Sequence, residues 1–410
     1  LTRDSPLVFR VRMWYNLLKK KPADVPRQVQ RPSAPTARRE RMYKMKKIMA
    51  VFGTKPEAIK MCPLVRELRR RARCATVVCY TGQHRDMSRD VLETFGVMPD
   101  CDLSVMKERQ TLFDITGDVL ARIRPVLEAE APDIVLVHGD TTTAFSAALA
   151  AFYLGIPIGH IEAGLRTHRL DSPYPEEFNR RTVGMLSTLD FAPTETARRE
   201  LIAEGKDPTR IFVTGNTSVD ALNFTLRKDY SHPLLDWAGS NRLVIVTAHR
   251  RESTGEPMRG MLRAIRRVTD EHRDVRVIFP VHPNPDVAAI AGEILGGDPS
   301  VRLTAPIGVS DFHNLLSRSY LLLTDSGGIE EEATALGKPT LVMRDVTERP
   351  EGIAAGVLRL VGTDEEGVYG AFSSMLDDSA EYRLAARASK IYGDGHASER
   401  IADILEGFLL

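Results

Sequence analysis

The stretch "GHIEAGLRTHRLDSPYPEEFNRR", residues 159–181, starts as a buried strand and then carries two carboxylates, Glu162 and Glu176, into a charged loop holding two prolines. A third carboxylate, Asp140, ends the apolar run "DIVLVHGD" just before a helix-forming stretch. Taken singly these are ordinary: Asp140 or Thr141 is a helix N-cap, and a charged loop is a solvated one. His249 in "VTAHRRES" and His282 in "VHPNP" end two more apolar runs, and "LLLTDSGGIEEEATALGKP" ends another on Asp325-Ser326-Gly327-Gly328. Glycines there let a ligand reach the backbone, and the free N–H groups of a first helical turn attract anions. A plain serine-capped helix would have the same sequence. Together, three carboxylates, two histidines and a phosphate-sized turn suit general acid/base chemistry on a nucleotide-activated substrate. The chain has no GxxxxGK[ST], GxGxxG, HExxH or GxSxG motif, so a P-loop, a tightly held NAD, a zincin metal or a serine elbow is not indicated.

Those residues need elements to hold them. From Lys46 onward, "KKIMAVFGT", "ATVVCYTG", "DIVLVHGD", "IPIGHIEAG", "LDFAPT" and "RIFVTGN" read as strands, separated by helical stretches such as "PEAIKMCPLVRELRRRA". After the polar stretch "LRKDYSHPLLDWAGSN" a second series begins: "RLVIVTAH", "VRVIFPVH", "VRLTAPI", "SYLLLTDS", "PTLVMRD" and "VLRLVG". Near-continuous apolar strands alternating with helices imply parallel sheets covered on both faces. The expected fold is α/β, with two doubly wound, Rossmann-like domains at 45–225 and 226–410. "SAEYRLAARASKIY" and beyond would be a final helix free to pack back on the first domain. In such sheets ligands bind outside the carboxyl ends of strands. Nearly every strand end is polar, which points to a cleft between the domains.

The bulk numbers set limits. A chain of 410 residues, 43% hydrophobic and 27% charged, is ordinary for a globular protein. Residues 1–44 hold twelve Lys or Arg against three Asp or Glu, about +9, so the remainder is about −8 and makes no case for nucleic acid. That basic segment holds five prolines and few large apolar residues, and disorder is expected of it. Met45 in "MKKIMAVFGT" reads as a start, which makes 1–44 an expected upstream extension. Cys62, Cys74, Cys79 and Cys101 match no metal spacing and read as reduced thiols of a cytoplasmic protein. No apolar run reaches eighteen residues, so no membrane partner is expected.

"FGTKPEAIKMCPL", "TGQH", "HGDTTT", "HIEAGLRT", "PYPEEFNR", "TAHRRES", "PVHPNP" and "TDSGGIEEEA" occur in order over about residues 45–395. As a set they resemble the non-hydrolysing UDP-N-acetylglucosamine 2-epimerases. The resemblance implies a glycosyltransferase-B-like fold with its site in the interdomain cleft, and a homodimer. It also implies interconversion of UDP-N-acetylglucosamine and UDP-N-acetylmannosamine for cell-surface polysaccharide synthesis, with no cofactor required and no metal. Asp140, Glu162, Glu176 and His249 would be catalytic. Lys55, Lys60, Ser326, Gly327 and Gly328 would contact the diphosphate or the site around it, Glu332 the ribose hydroxyls and Phe312 the uracil. Gln83, Arg109, Glu176, Arg250 and His282 match a second, regulatory UDP-N-acetylglucosamine site. Two positions depart from the family: Lys55 stands where Arg is usual, losing a bidentate fork for phosphate, and Val309 where an aromatic is often found. The alternatives are a hydrolysing epimerase that releases N-acetylmannosamine, a UDP-sugar glycosyltransferase, and a silent UDP-sugar sensor.

Overall fold

A computed structural model describes residues 45–410 except 84, 108, 109, 251 and 252. The basic segment 1–44, Arg109 and the Arg251-Glu252 pair lie outside the described residues. Strand β1 (Lys47–Phe52) shows why the first sheet forms, since Ile48 to Phe52 are all fully buried and only a strand covered on both faces accommodates such a run. It lies in a sheet with β2 (Ala75–Tyr80), β3 (Cys101–Asp102), β4 (Ile134–His138), β5 (Ile158–Ile161), β6 (Leu189–Ala192) and β7 (Ile211–Val213). The second sheet holds β8 (Arg242–Thr247), β9 (Val275–Pro280), β10 (Val301–Thr304), β11 (Leu321–Thr324), β12 (Thr340–Val342) and β13 (Leu358–Leu360). Their orders are β3-β2-β1-β4-β5-β6-β7 and β10-β9-β8-β11-β12-β13, with every pairing parallel.

Both orders reverse direction once: between β1 and β4 in the first sheet, and between β8 and β11 in the second. A crevice opens at such a switch point because the two flanking helices leave to opposite faces. The residues at the first are Gly53-Thr54-Lys55 and Gly139-Asp140; those at the second are His249-Arg250 and Asp325-Ser326. The helix Lys55–Arg71 starts in a capping box, with Thr54 accepting from the Glu57 N–H while the Glu57 carboxylate accepts from the N–H of Thr54. Buried Glu57 also accepts from the Thr141 hydroxyl at 2.7 Å, tying together the helices that follow β1 and β4.

The chain end differs from the expected long helix at 379 and beyond. A helix ends at Ala385, and the final one is Ala397–Leu409. Between them, Gly393 and Gly395 have φ of +140° and +84°, backbone that no α-helix contains. The Asn216 N–H donates to the Tyr392 carbonyl at 2.6 Å, so this segment bonds to the loop after β7. Asp220 then caps the final helix, accepting from the N–H groups of Ala397 and Ser398 at 3.1 and 2.7 Å. Ile401, Ala402 and Leu405 join the first domain's core beside Leu64 and Leu68.

Candidate active site

Glu162 follows β5 directly in a left-handed conformation (φ +62°), a placement that a non-glycine residue holds only where its surroundings over-determine it. Its carboxylate takes charge-assisted hydrogen bonds from Lys60 Nζ and from Asn216 Nδ2, the latter at 2.5 Å. Both Glu162 and Lys60 side chains are only 7% exposed. Burial alone would raise the Glu162 pKa, but the positive charges of Lys60 and Arg349 and the nearby His138 hold it well below the usual carboxylate range. His138, 3.7 Å away, is driven the other way: burial pushes its pKa down to about 4, so at neutral pH it is uncharged.

Asp140 lies one residue beyond Gly139 at the end of β4, and Thr141, not Asp140, caps the next helix. That frees the Asp140 carboxylate to accept from buried Arg180 Nη2 at 2.5 Å. Arg180 is one turn along the helix Glu176–Leu186 from Glu176, so the same helix carries the partner of Asp140 and the second loop carboxylate. Glu176 has a raised pKa, first from burial and next from the negative charge of Asp140, so its protonated form persists above the ordinary range. Glu162 and Glu176 are thus perturbed in opposite directions.

The second domain meets them through its own switch point. Asp325 is buried, and its carboxylate accepts from the N–H groups of His249 and Arg250 at 2.7 and 2.8 Å and lies 3.0 Å from His249 Nδ1. His249 keeps a 40% exposed side chain and stacks on His282 at 5.8 Å. The next helix, Gly327–Ala335, begins at Ser326, whose side chain makes no capping bond, so the opening N–H groups have no such cap. Gly327 is required there: a Cβ would stand 2.0 Å from Arg349 Nη1. Gly328 faces Lys60 of the first domain, whose Nζ would lie 3.8 Å from a Cβ at that position.

A chain of buried charges joins the two halves. Lys60 reaches from Glu162 to Glu331 at 3.9 Å; Glu331 accepts from Arg349 Nε and the Ser218 hydroxyl, both at 2.8 Å; and Arg349 Nη1 donates to Glu348 at 2.7 Å. Arg250 Nη2 comes within 3.8 Å of Glu348, whose pKa is held well below the usual range, against burial, by the charges of Arg349, Arg344, Arg250 and Arg180. Sequence reasoning missed Arg180, Glu348 and Arg349. Only Arg180 left a trace, one helical turn after Glu176 in the quoted "PYPEEFNR".

The other expected site residues stand farther along this seam. Lys55 Nζ donates to the Ile307 carbonyl at 3.2 Å, and burial lowers its pKa, opposed by the charges of Asp90 and Glu332. Glu332 is buried with its carboxylate 3.3 Å from His313 Nε2, and Phe312 is half-buried against the apolar cluster of Leu315, Leu322 and Ala333. Gln83 Oε1 accepts from the Thr143 hydroxyl at 2.7 Å, near the first switch point. Among the described residues no group of three or more His, Cys, Asp or Glu is arranged to hold a metal ion.

Two doubly wound domains with their polar strand ends facing one seam define a glycosyltransferase-B-like α/β protein. A family model for UDP-N-acetylglucosamine 2-epimerase matches residues 66–406. The UDP-N-acetylglucosamine 2-epimerase of Bacillus subtilis (strain 168) is 53% identical over 359 residues, 88% of this chain and 94% of its own length. Among solved structures, the S. aureus MnaA–UDP complex is 46% identical with a TM-score of 0.86, covering 89% of this chain and 97% of that one. The UDP-GlcNAc 2-epimerase of Neisseria meningitidis bound to UDP-GlcNAc is 42% identical with a TM-score of 0.84, covering 88% of this chain and 99% of its own. The chain belongs to the UDP-N-acetylglucosamine 2-epimerase family and is an isomerase.

Proposed function

We propose that this chain interconverts UDP-N-acetylglucosamine and UDP-N-acetylmannosamine by inverting carbon 2, with no added cofactor. The observation that carries this reading is the seam itself. Three carboxylates stand on one side, Glu162 and Glu176 with pKa values pushed in opposite directions, an uncapped helix start stands on the other, and Lys60 spans both. The names of the relatives, and the UDP and UDP-GlcNAc in two of them, support the substrate class.

Carbon 2 has no neighbouring carbonyl, so direct loss of its proton is too costly. Elimination avoids the carbanion: a base takes the C2 proton as the C1–oxygen bond to UDP breaks, leaving 2-acetamidoglucal and free UDP. Re-addition forms the C1–oxygen bond again while a proton is delivered to the opposite face of C2. Glu176 is the group suited to hold that proton, since burial and the charge of Asp140 favour its neutral form. Asp140 is aimed by Arg180, and Glu162 and His249 complete the set. Lys55 and the Ser326-Gly327-Gly328 turn would grip the departing diphosphate, Glu332 the ribose and Phe312 the uracil. Arg250 and His282, beside Glu176 and His249, would belong with Gln83 and Arg109 to a second UDP-GlcNAc site. A homodimer is supported by the exposure of large apolar side chains, with Tyr153, Tyr174, Phe178 and Met185 72, 63, 48 and 75% exposed.

Proton NMR in D₂O tests the reaction. Deuterium at C2 with the UDP-sugar intact is the expected result, and free N-acetylmannosamine would replace it with hydrolysis. Asp140→Asn and Glu176→Gln should each slow exchange by ~10²–10⁴-fold while UDP still binds. Exchange at the wild-type rate in both variants would remove these roles. Run from UDP-N-acetylmannosamine, the same assay reads the second site, which predicts that added UDP-N-acetylglucosamine raises the rate. An unaffected rate rejects it.

A further inference from the structure

The helix Val309–Arg318 of the second domain starts on Gly308, which has no side chain with which to cap it. The missing cap comes from the other domain. Asp90, on the first-domain helix Arg85–Phe95, accepts from the Val309 N–H at 2.9 Å. A Cβ added at Gly308 would lie 3.1 and 3.2 Å from the two Asp90 carboxylate oxygens, so the carboxylate occupies the space a local cap would use. One residue earlier in the turn, the Ile307 carbonyl accepts from Lys55 Nζ, also of the first domain, at 3.2 Å. The turn 307–309 is therefore clasped by an acceptor on its free N–H and a donor on its carbonyl. The same short helix carries Phe312 and His313, and His313 holds Glu332 at 3.3 Å.

We propose that Asp90 is a positioning residue for the epimerase reaction, capping the nucleotide-side helix in trans so that the helix is completed only when the two domains close. This rests on the reading above, that Phe312 and Glu332 receive the uridine. A helix end lacking its cap favours any state that supplies an acceptor. Closure supplies one in Asp90. A UDP-sugar held across the seam would then bind more tightly because the clasp already favours the closed placement that the ligand needs. Asp90 makes its hydrogen bond to the Val309 N–H and not to the carboxylates of the acid/base set.

Steady-state kinetics with UDP-N-acetylglucosamine provide the test. Asp90→Ala should raise KM about fivefold, the factor that losing a typical helix cap implies, with kcat falling less than threefold. Asp90→Asn keeps an acceptor and should remain near the wild type. The decisive variant is Asp90→Ala with Gly308→Asp, which restores a cap within the second domain alone; Gly308 has φ −61° and ψ 152°, a backbone an Asp cap can adopt. Its KM should stay high. A return to the wild-type KM would make Asp90 a local cap only and overturn the proposal, as would an unchanged KM in Asp90→Ala. Small-angle scattering of the unliganded proteins reads the clasp without turnover. Asp90→Ala should have the larger radius of gyration, and equal radii overturn the clasp. Wild-type protein that turns over no UDP-sugar would instead reject the functional reading and leave the scattering result to decide the clasp.

Discussion

Replacing Lys60 with Met removes one charge from the middle of the seam and leaves a side chain of similar length. Glu331 keeps Arg349 and Ser218, each at 2.8 Å, but Glu162 keeps only the Asn216 hydrogen bond, the weaker pull of the Arg349 charge and neutral His138. Removing one partner of a buried ion pair typically destabilises by ~3–5 kcal/mol. Glu162 has an escape, because it can take up a proton. From an ordinary value of 4.5, protonation at pH 7 costs 2.5 units at 1.36 kcal/mol each, ~3.4 kcal/mol, which caps the cost of leaving that carboxylate unpaired. At pH 5 the same step costs about 0.7 kcal/mol. In the wild type the depressed pKa contributes stability that is complete above the unfolded value and lost only as pH falls through the folded one, so it changes little between pH 7 and 5. In the variant, Glu162 has a raised pKa, and its stability recovers as pH drops toward the unfolded value. The gap between the two proteins should therefore shrink by about 2.7 kcal/mol between pH 7 and pH 5. Urea unfolding at both pH values, compared at equal m, measures it. Adding Glu162→Gln to the variant should restore most of the loss at pH 7. A gap that is constant with pH, or below about 1 kcal/mol at pH 7, would show that Lys60 and Glu162 are not a buried pair.

Two other perturbations probe the protein away from turnover. Burial pushes the pKa of Glu330 up to about 7, so its contribution to stability is complete below 4.5, declines as pH rises through 7 and is flat above that. Glu330→Gln removes that decline, matching the wild type at pH 4 and exceeding it by about 3 kcal/mol at most at pH 8; a constant difference in thermal stability across this range would contradict it. Met185→Glu puts a charge among the exposed apolar side chains and should shift the protein to monomers in sedimentation velocity at micromolar concentration, whereas a wild type that is itself monomeric would remove the dimer.

The strand ends were legible in the sequence because parallel sheets leave a plain record. Each strand is an apolar run, and the first polar residue after it stands at the carboxyl edge. Gly53, Asp140, His249 and Ser326 could be placed at strand ends without coordinates, and they prove to flank the two switch points. The two-residue β3 left no such record, being too short to show any periodicity. The charge chain was invisible for another reason. Lys60 meets Glu162 across 102 positions and Arg349 meets Glu331 across 18, and no spacing rule links side chains brought together by tertiary folding. Asp90 was hidden likewise, since its partner is a backbone N–H 219 residues away. The break after Ala385 leaves no mark in the sequence, because the helical pattern runs on through residues whose backbone bonds elsewhere, Ser389 N–H to the Thr334 carbonyl and the Tyr392 carbonyl to Asn216 N–H.

So many charges in a domain seam need a physical reason, because burying an ion pair gains little stability over an apolar contact. The largest apolar cluster, around β8, β9 and β11, stays within the second sheet's domain, and the one holding Met49, Val51 and Val137 stays within the first. Each domain thus has a core of its own, and apolar contacts across the boundary are made by Val309 in the first domain's core and by Val219 against Val342 and Leu358. Apolar surfaces adhere in many registers, since burial depends on area and not on direction. The chain from Glu162 through Lys60, Glu331 and Arg349 to Glu348 satisfies its members only when every donor meets its acceptor, and a shifted seam would leave charges buried and unpaired. Directional pairing of this kind selects one relative placement of the halves. A reaction whose proton acceptor lies on one domain and whose leaving group is held by the other requires that placement to about the tolerance of a reacting distance. The network contributes alignment, and the cores contribute stability.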